Sequence, residues 1–421
     1  MKSPLAAIHR FTQLFPRHYY LIWVGTLVNR LGSFVLPFFS LYLVRAQNFT
    51  PVQVGQIVAA YGLGATLSGP LGGWLADRWG RRPTLISSLF LGAALLLVLM
   101  TAKTYLGIML SMGLYGLFGE MYRPASNAAV VDIVPPLLRT AAFDALYWAV
   151  NLGFAIGTFT GGMVIEWSFA PIFWVNALSL FLFGVIITLF LPETRPSLPS
   201  FPAANETGPA REEAGLRRTR GLSYWLAPYR DGTFMWLMAA TLLTTTLFFQ
   251  TASTFPISLN QMNIFGKAYG QIIALNGILI TTCQPLVAHL TKRRRPSTMI
   301  AVGFLLNALG FGTLTFATQY ITFVIAEVVL TFGEICWVPR SNAALAFLAP
   351  PHLRGNYMGV NFIVWGAASV LAPLLGTALL QHYGRFVLWP VGAAGGIVAT
   401  LIVWRLRHKL DARCQVAEEK K

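Results

Sequence analysis

Charged side chains interrupt several long apolar stretches of this sequence, where each must be paired, bound to a ligand or protonated. The segment FGEMYRPASNAA carries Glu120 and Arg123, and the segment FGEICWVPRSNAA carries Glu334 and Arg340. Helical i, i+3 spacing lets Glu120 and Arg123 form an ion pair. A desolvated carboxylate can also bind and release a proton at working pH. The candidates for such proton coupling are therefore Glu334, Glu120 and Glu327.

Glu334 is the strongest of these candidates, because Arg123 on the same helix keeps Glu120 ionised. Glu327 lies two helical turns before Glu334 on the same face and could serve instead. The alternative for each acid is a fixed ion pair that holds the structure together.

Other polar and aromatic side chains in the apolar stretches are candidates for contact with a small-molecule substrate. They are Arg30, Asn29, Arg123, Asn127, Arg340, Tyr147, Trp337 and Trp365. Arg30 would suit an anionic or zwitterionic substrate. Most aromatics of a helical bundle pack against neighbours or lipid, which is the alternative for the last three.

The composition is that of a membrane protein. Of the 421 residues 55% are hydrophobic, only 11% are charged and the mean hydropathy is +0.60, whereas soluble domains are about 25% charged. Each apolar stretch is long enough to cross a bilayer as a helix. The stretches lie near 19–43, 52–74, 84–102, 105–131, 141–167, 170–191, 233–259, 269–290, 297–317, 320–347, 355–380 and 384–404. We therefore predict an all-α membrane protein with about twelve spans, and shorter alternating barrel strands are excluded.

The basic residues predict the orientation. Of the 31 Lys and Arg, one set of alternating loops holds Arg45, Lys103, Lys267 and Arg385, and three arginines lie inside spans. The rest lie on the other side together with both termini, which the positive-inside rule places in the cytoplasm. The net charge of +16 is thus a topology signal, and no nucleic-acid role is expected. We also expect no removable signal peptide.

The two halves of the chain repeat each other. VGQIVAAYG at 54–62 recurs as YGQIIALNG at 269–277, an offset of 215 residues that SNAA also follows. The predicted organisation is a cytoplasmic N-terminal segment, two parallel six-helix bundles joined by a linker with a surface helix near 211–229, and a cytoplasmic tail. These parts span 1–18, 19–194, 195–232, 233–405 and 406–421. Such a repeat predicts a substrate cavity between the halves near the middle of the membrane, unless it is only a relic of duplication.

The loop GGWLADRWGRRPTL at 72–85 closely resembles the signature of the major facilitator superfamily, Gly-x-Leu-Ala-Asp-Arg-x-Gly-Arg-Arg, and the resemblance covers essentially the whole chain. It implies a latch that closes the cytoplasmic side, in which Asp77 docks on the start of the eleventh span and Arg81 reaches Asp132. The latch candidates are Gly73, Asp77, Arg78, Gly80, Arg81, Arg82 and Asp132. The alternative is that the arginines only set the orientation of the chain in the membrane and contact lipid phosphate. In the second half Lys292 replaces the acid, so the latch is expected to be one-sided.

The fifth span, GFAIGTFTGG, resembles a motif of the family's proton-antiport exporters. Gly153, Gly157, Gly161 and Gly162 match, while Thr158 replaces the proline that would kink the helix.

At the same offset of 215 residues the second half carries Pro373. A kink is therefore expected in the eleventh span instead.

The resemblance points to the twelve-span drug:proton antiporter branch and implies a secondary active transporter of the bacterial inner membrane. We expect alternating access and proton-coupled export of amphipathic small molecules by a monomer in the lipid bilayer. The alternative is a symporter or facilitator that imports a small polar or anionic solute. No Walker loop or metal-ligand spacing is present, and Cys283, Cys336 and Cys414 are scattered. We therefore expect no cofactor, no metal and no enzymatic activity.

Overall fold

The computed structural model describes residues 13–195, 222–350 and 353–418, which are helical and contain no strand. The start of the N-terminal segment and most of the linker, including much of the helix predicted near 211–229, lie outside the described residues. A surface helix is present at Leu222–Arg230.

Twelve helical spans, numbered α1 to α12 here, make up the bundle. Their bounds are Arg17–Leu31 with Val35–Arg45 (α1), Pro51–Arg78 (α2), Arg81–Thr101 (α3), Tyr105–Leu114 with Tyr122–Ile133 (α4), Arg139–Val164 (α5), Ala170–Phe190 (α6), Gly232–Phe248 with Thr254–Gln261 (α7), Lys267–Thr291 (α8), Pro296–Thr313 (α9), Tyr320–Leu348 (α10), Arg354–Tyr383 (α11) and Arg385–Glu418 (α12). Within the described ranges, nine of them can cross a membrane by length and composition. The other three, α2, α4 and α5, border the cavities between the halves. The predicted fold class is confirmed.

Equivalent residues of the two halves make equivalent contacts, as the sequence repeat predicts. A Cβ placed on Gly55 of α2 would lie 2.6 Å from the carbonyl oxygen of Pro373 in α11. One placed on Gly270 of α8, at the offset of 215, would lie 2.6 Å from the carbonyl oxygen of Thr158 in α5. Glycine thus permits close approach at both pseudo-equivalent crossings, α2 with α11 and α8 with α5.

The halves meet at one face of the bundle. We call the face that carries the end of α12 and the helix Leu222–Arg230 the terminal face, and the other the opposite face. Among the described residues, every hydrogen bond between the halves lies toward the opposite face. The pairs are Ser40 with Ala252, Arg45 with Asn260, Tyr269 with Pro37, Lys267 with Glu166 and Val52 with Gln381.

The halves diverge at the terminal face. A Cβ placed on Gly73 of α2, or on Gly355 or Gly359 of α11, would meet no atom within 4 Å. The side chain of Asp77, at the end of α2, is 76% exposed. The structure is therefore closed at the opposite face and open at the terminal face.

The glycines of α5 lie at two helix crossings. Gly153 and Gly157 approach Arg30 of α1, and Gly161 approaches Phe38. A Cβ on Gly162 would lie 2.7 Å from the Cα of Gly270 in α8. The motif thus packs α5 against its own half and, through its last glycine, against the other half.

Pro373 lies inside α11, which continues from Arg354 to Tyr383. The kink expected at this proline stays a prediction.

Candidate functional site

Two cavities lie between the halves, and Phe249, in the turn Phe249–Ala252 that joins the two parts of α7, lines both. The carboxylate cavity, of about 320 Å³, is lined by Arg30, Ser33, Leu36, Pro37, Phe154, Phe248, Phe249, Thr251, Ala252, Phe255, Ile273, Asn276, Asn307, Phe311, Glu327, Leu330 and Glu334. The ion-pair cavity, of about 370 Å³, is lined by Tyr61, Gly62, Ala65, Thr66, Ser68, Gly69, Glu120, Arg123, Pro124, Asn127, Phe249, Phe362, Trp365, Gly366 and Ser369.

The carboxylate cavity brings together Glu327, Glu334 and Arg30. It lies between the halves, where the sequence repeat predicts a substrate cavity. Glu334 accepts a hydrogen bond of 2.9 Å from the side-chain amide of Asn276 in α8. Glu327 is 5% exposed, and its Oε2 has no hydrogen-bond partner among the described residues. A buried acid without a partner is costly unless it is protonated or faces a cationic ligand.

Arg30 is held at the wall of this cavity by α4. Its Nη2 donates to the hydroxyl of Tyr122 at 2.8 Å, and the side-chain amide of Asn29 donates to the same oxygen at 3.0 Å. Asn29 is 2% exposed and acts as a buried support. The break in α1 between Leu31 and Val35 follows Arg30 directly. Tyr122 is a site residue that was not predicted from the sequence.

The ion-pair cavity contains the predicted pair Glu120–Arg123, joined at 2.5 Å. The hydroxyl of Tyr61 donates to the other oxygen of Glu120 at 2.9 Å. A π-helical turn at Tyr115–Gly119 immediately precedes Glu120, and such turns are frequent at functional sites. Glu120 is buried, whereas half of the Arg123 side chain is exposed. The exposed part of the cation faces the cavity, which Asn127 also lines.

The two acids have pseudo-equivalent supports. Tyr61 and Asn276 are related by the offset of 215, and each donates from the second helix of its half to the acid of the fourth. One turn beyond the acid the halves differ, because Arg123 follows Glu120 and Trp337 follows Glu334. Glu334 therefore has no cation one turn beyond it. Aligning the halves in the sequence could have identified Asn276.

Trp337 is not at the cavity surface. It is 1% exposed and packs against Phe304 and Trp365 in the core of the second half. The large apolar side chain of Trp337 fills the core there, whereas Trp365 lines the ion-pair cavity.

Two other substrate candidates lie outside both cavities. Tyr147 borders a separate cleft between α5 and α8 together with Asp144 and Gln284. Arg340 donates to Thr291, the last residue of α8, at 3.1 Å. Tyr147 is still within electrostatic reach of Glu334, whereas Arg340 lies at the terminal-face end of α8.

The latch is assembled only within the first half. The guanidinium of Arg81 contacts Asp132 at 2.8 Å and Asp77 at 3.0 Å. Asp77 is exposed rather than docked on α11, which corrects, for this conformation, the docking that the resemblance implied. The physical reason is that the halves are separated at the terminal face.

The remaining latch residues contact their own half. Arg82 donates to the carbonyl of Thr188 at 2.7 Å, and Arg78 lies over the ring of Trp74. Glu193 accepts hydrogen bonds from the backbone N–H groups of Arg81 and Arg82 at 2.9 and 3.2 Å. Sequence reasoning missed this cap on α3, since nothing in the sequence places Glu193 beside the loop.

At Gly80 the backbone has a positive φ of 120°, which favours glycine. This glycine lets the chain turn between α2 and α3, beside the Glu193 carboxylate.

No cluster of His, Cys, Asp or Glu in the described ranges could hold a metal ion. The groups that line the two cavities are carboxylates, one ion pair, amides and aromatic side chains. These groups can bind an ion or a polar group and exchange a proton.

The chain is 23% identical over 363 residues to the Na(+), Li(+), K(+)/H(+) antiporter of Planococcus maritimus, a match that covers 81% of this chain and 84% of the relative. It is 25% identical to the multidrug resistance protein MdtH of Aeromonas salmonicida, over 93% of this chain and 96% of the relative.

Among solved structures, the peptide transporter POT in complex with sulfate superposes with a TM-score of 0.77 at 18% identity. The superposition covers 94% of this chain and 96% of that one, and at this identity it shows the fold alone.

The model of the Major Facilitator Superfamily matches residues 22–373 and 260–420. The match includes both halves, both cavities and the latch loop. The resemblance seen in the sequence is therefore confirmed, and the chain belongs to the Major Facilitator Superfamily of transporters.

Proposed function

We propose that this transporter exports amphipathic, drug-like small molecules in exchange for protons, and that Glu334 carries the proton. The observation that carries the proposal is the carboxylate cavity between the halves. There Glu334 is supported by the neutral amide of Asn276 and has no cation one turn beyond it on α10. A carboxylate in such surroundings can be neutral in one state and charged in another at low cost.

The cavity lining fits an amphipathic substrate. Phe154, Phe248 and Phe255 supply apolar surface, and the two acids of α10 supply charge. The relative MdtH is a multidrug resistance protein, and the Planococcus relative is a Na(+), Li(+), K(+)/H(+) antiporter. The first supports a drug-like substrate, and the second supports exchange against protons.

The open terminal face is the cytoplasmic face in this proposal, since the basic loops, the start of α1 and the end of α12 lie there. The described conformation would then receive substrate from the cytoplasm. Substrate replaces the proton at Glu334, the halves rock about the cavity, and a proton from outside displaces the substrate. Alternating access of this kind needs only two packings of the same two bundles.

The test uses purified protein in liposomes that contain a pH-sensitive dye. A proton gradient is imposed, cationic, neutral and anionic amphiphiles are added in turn, and substrate-evoked proton flux is recorded. We expect Glu334→Gln to abolish the flux while substrate binding survives. Glu418→Gln, which makes the same chemical change at the end of α12 and outside both cavities, is the control and should retain the flux.

Undiminished flux in Glu334→Gln would move the proton site to Glu327 or Glu120. The second candidate function, import of a small polar or anionic solute, is favoured by the position of Arg30 in the same cavity. Counterflow of labelled anionic solutes that is lost in Arg30→Gln, with no response to amphiphiles, would establish import instead.

A further inference from the structure

A polar cleft of about 630 Å³ lies at the terminal face, away from both cavities. It is bounded by the surface helix Leu222–Arg230, the first turn of α7 and the end of α12. Three exposed cations, Arg230, Lys409 and Arg413, line it.

The acid that lines this cleft, Asp231, already accepts hydrogen bonds from three groups. Asp231 accepts from Arg413 at 2.7 Å, from the backbone N–H of Phe234 at 3.2 Å and from the hydroxyl of Tyr357 at 3.3 Å. Its side chain is only 13% exposed. Asp231 therefore fixes Arg413 and caps α7, and the positive charge of Arg230 and Lys409 is left to act on the cleft.

The cleft also has an exposed apolar side. Trp236, one turn into α7, is 58% exposed, and Leu406 of α12 lies beside it. Trp404, half exposed on α12, carries the guanidinium of Arg407 over its ring at 4.5 Å. Exposed tryptophans beside basic residues are typical of the level at which headgroups meet acyl chains. A freely soluble inorganic anion has no apolar part that would contact this surface.

We propose that the cleft binds the phosphate headgroup of an anionic phospholipid from the adjoining leaflet. Arg230 and Lys409 contact the phosphate, and an acyl chain runs along Trp236 and Leu406. A guanidinium matches the oxygens of a phosphate in a bidentate manner, and a lysine adds a compact charge. Basic pockets between membrane helices recognise anionic headgroups through such contacts of Arg and Lys with phosphate. The lipid would tie the surface helix, α7 and α12 together where the linker enters the second half.

The test is native mass spectrometry of the purified full chain with phosphatidylglycerol or phosphatidylcholine. The variant Arg230→Gln with Lys409→Gln should lower the fraction carrying bound phosphatidylglycerol several-fold. The matched control, Arg293→Gln with Arg294→Gln, removes equal charge from exposed residues of the α8–α9 loop and should bind as the wild type does. Phosphatidylcholine should not distinguish the three proteins.

A charge-conserving variant, Arg230→Lys with Lys409→Arg, should keep most of the binding, which separates loss of the site from misfolding. Equal losses in the cleft variant and the loop control would show diffuse attraction and overturn the proposal. So would unchanged binding in the cleft variant. Displacement of the lipid by inorganic phosphate at the same concentration would show a free-anion site rather than a lipid site.

Discussion

Among the ionisable residues, the contrast between Glu120 and Glu334 is the most informative. Both are at the fourth helix of a half and both accept a hydrogen bond from the second. Only Glu120 has a cation one turn away on its own helix. The same architecture thus offers one acid paired with a cation of its own helix and one acid without such a cation, and the proposed proton exchange rests on this asymmetry.

The ion pair gives a stability prediction. Arg123→Gln leaves Glu120 buried without its cation, and the double variant with Glu120→Gln removes both charges. The single variant should lose on the order of 1–3 kcal/mol, between the values for exposed and fully buried pairs, because Arg123 is half exposed. The double variant should recover part of this loss. Unfolding in mixed detergent micelles measures both, and a double variant less stable than the single one would contradict the argument.

At the scale of helices, two caps hold the opposite face closed. Glu166 at the end of α5 accepts from the backbone N–H of Lys267 at the start of α8, at 2.8 Å. Gln381 in α11 accepts from the backbone N–H of Val52 in α2, at 2.9 Å. These two pairs are related by the offset of 215, so each half caps a helix of the other.

Removing these caps should open the opposite face. Glu166→Ala and Gln381→Ala should each cost about 1 kcal/mol of the closed state, which is roughly a five-fold shift of the population per cap. Spin labels in the loops 46–50 and 262–266 would report the shift as longer distances by electron resonance. Thr104→Ala removes a cap of α4 inside the first half and should leave the distance distribution unchanged; a shift of equal size in this control would refute the role of the caps.

Close helix crossings give another prediction at this scale. In Gly162→Ala the new Cβ would lie 2.7 Å from the Cα of Gly270, and backbone cannot move aside as a side chain can. We expect a loss of about 1–3 kcal/mol in thermal stability and lower transport. Gly395→Ala in α12 meets no atom within 4 Å and should be neutral or slightly stabilising. Equal melting temperatures would show that the crossing tolerates a methyl group.

The helices, the repeat and the buried charges could be predicted from the sequence, because the lengths of the apolar stretches and the offset of 215 can be read from the chain alone. It did not indicate the π turn before Glu120, the role of Tyr122 or the burial of Trp337. Each of these depends on how a helix is rotated against its neighbours, and rotation follows from packing that no single stretch of sequence contains. The docking of Asp77 depends on the conformational state, which sequence does not specify.

In the whole molecule, the two faces differ in which half supplies the contacts that close them. The opposite face is held by contacts from both halves, which the offset of 215 relates to each other. The terminal face has the signature loop in the first half only, since Lys292 stands where the second half would need an acid. Closure of the terminal face should therefore depend on the first half alone.

Asp77 tests this dependence. When the terminal face closes, the Asp77 carboxylate would reach the first turn of α11, where the N-terminal end of the helix favours negative charge by about 0.3–1 kcal/mol. Asp77→Asn should therefore lower the terminal-closed population about two- to five-fold and slow transport, with substrate affinity in the terminal-open state unchanged. Spin labels in the α2–α3 and α8–α9 loops would measure the closed population. Lys292→Gln, at the pseudo-equivalent position, is the matched control and should leave that population unaltered. A response to Lys292→Gln as large as that to Asp77→Asn would mean that closure is governed by the general charge of the face rather than by a carboxylate at one helix terminus.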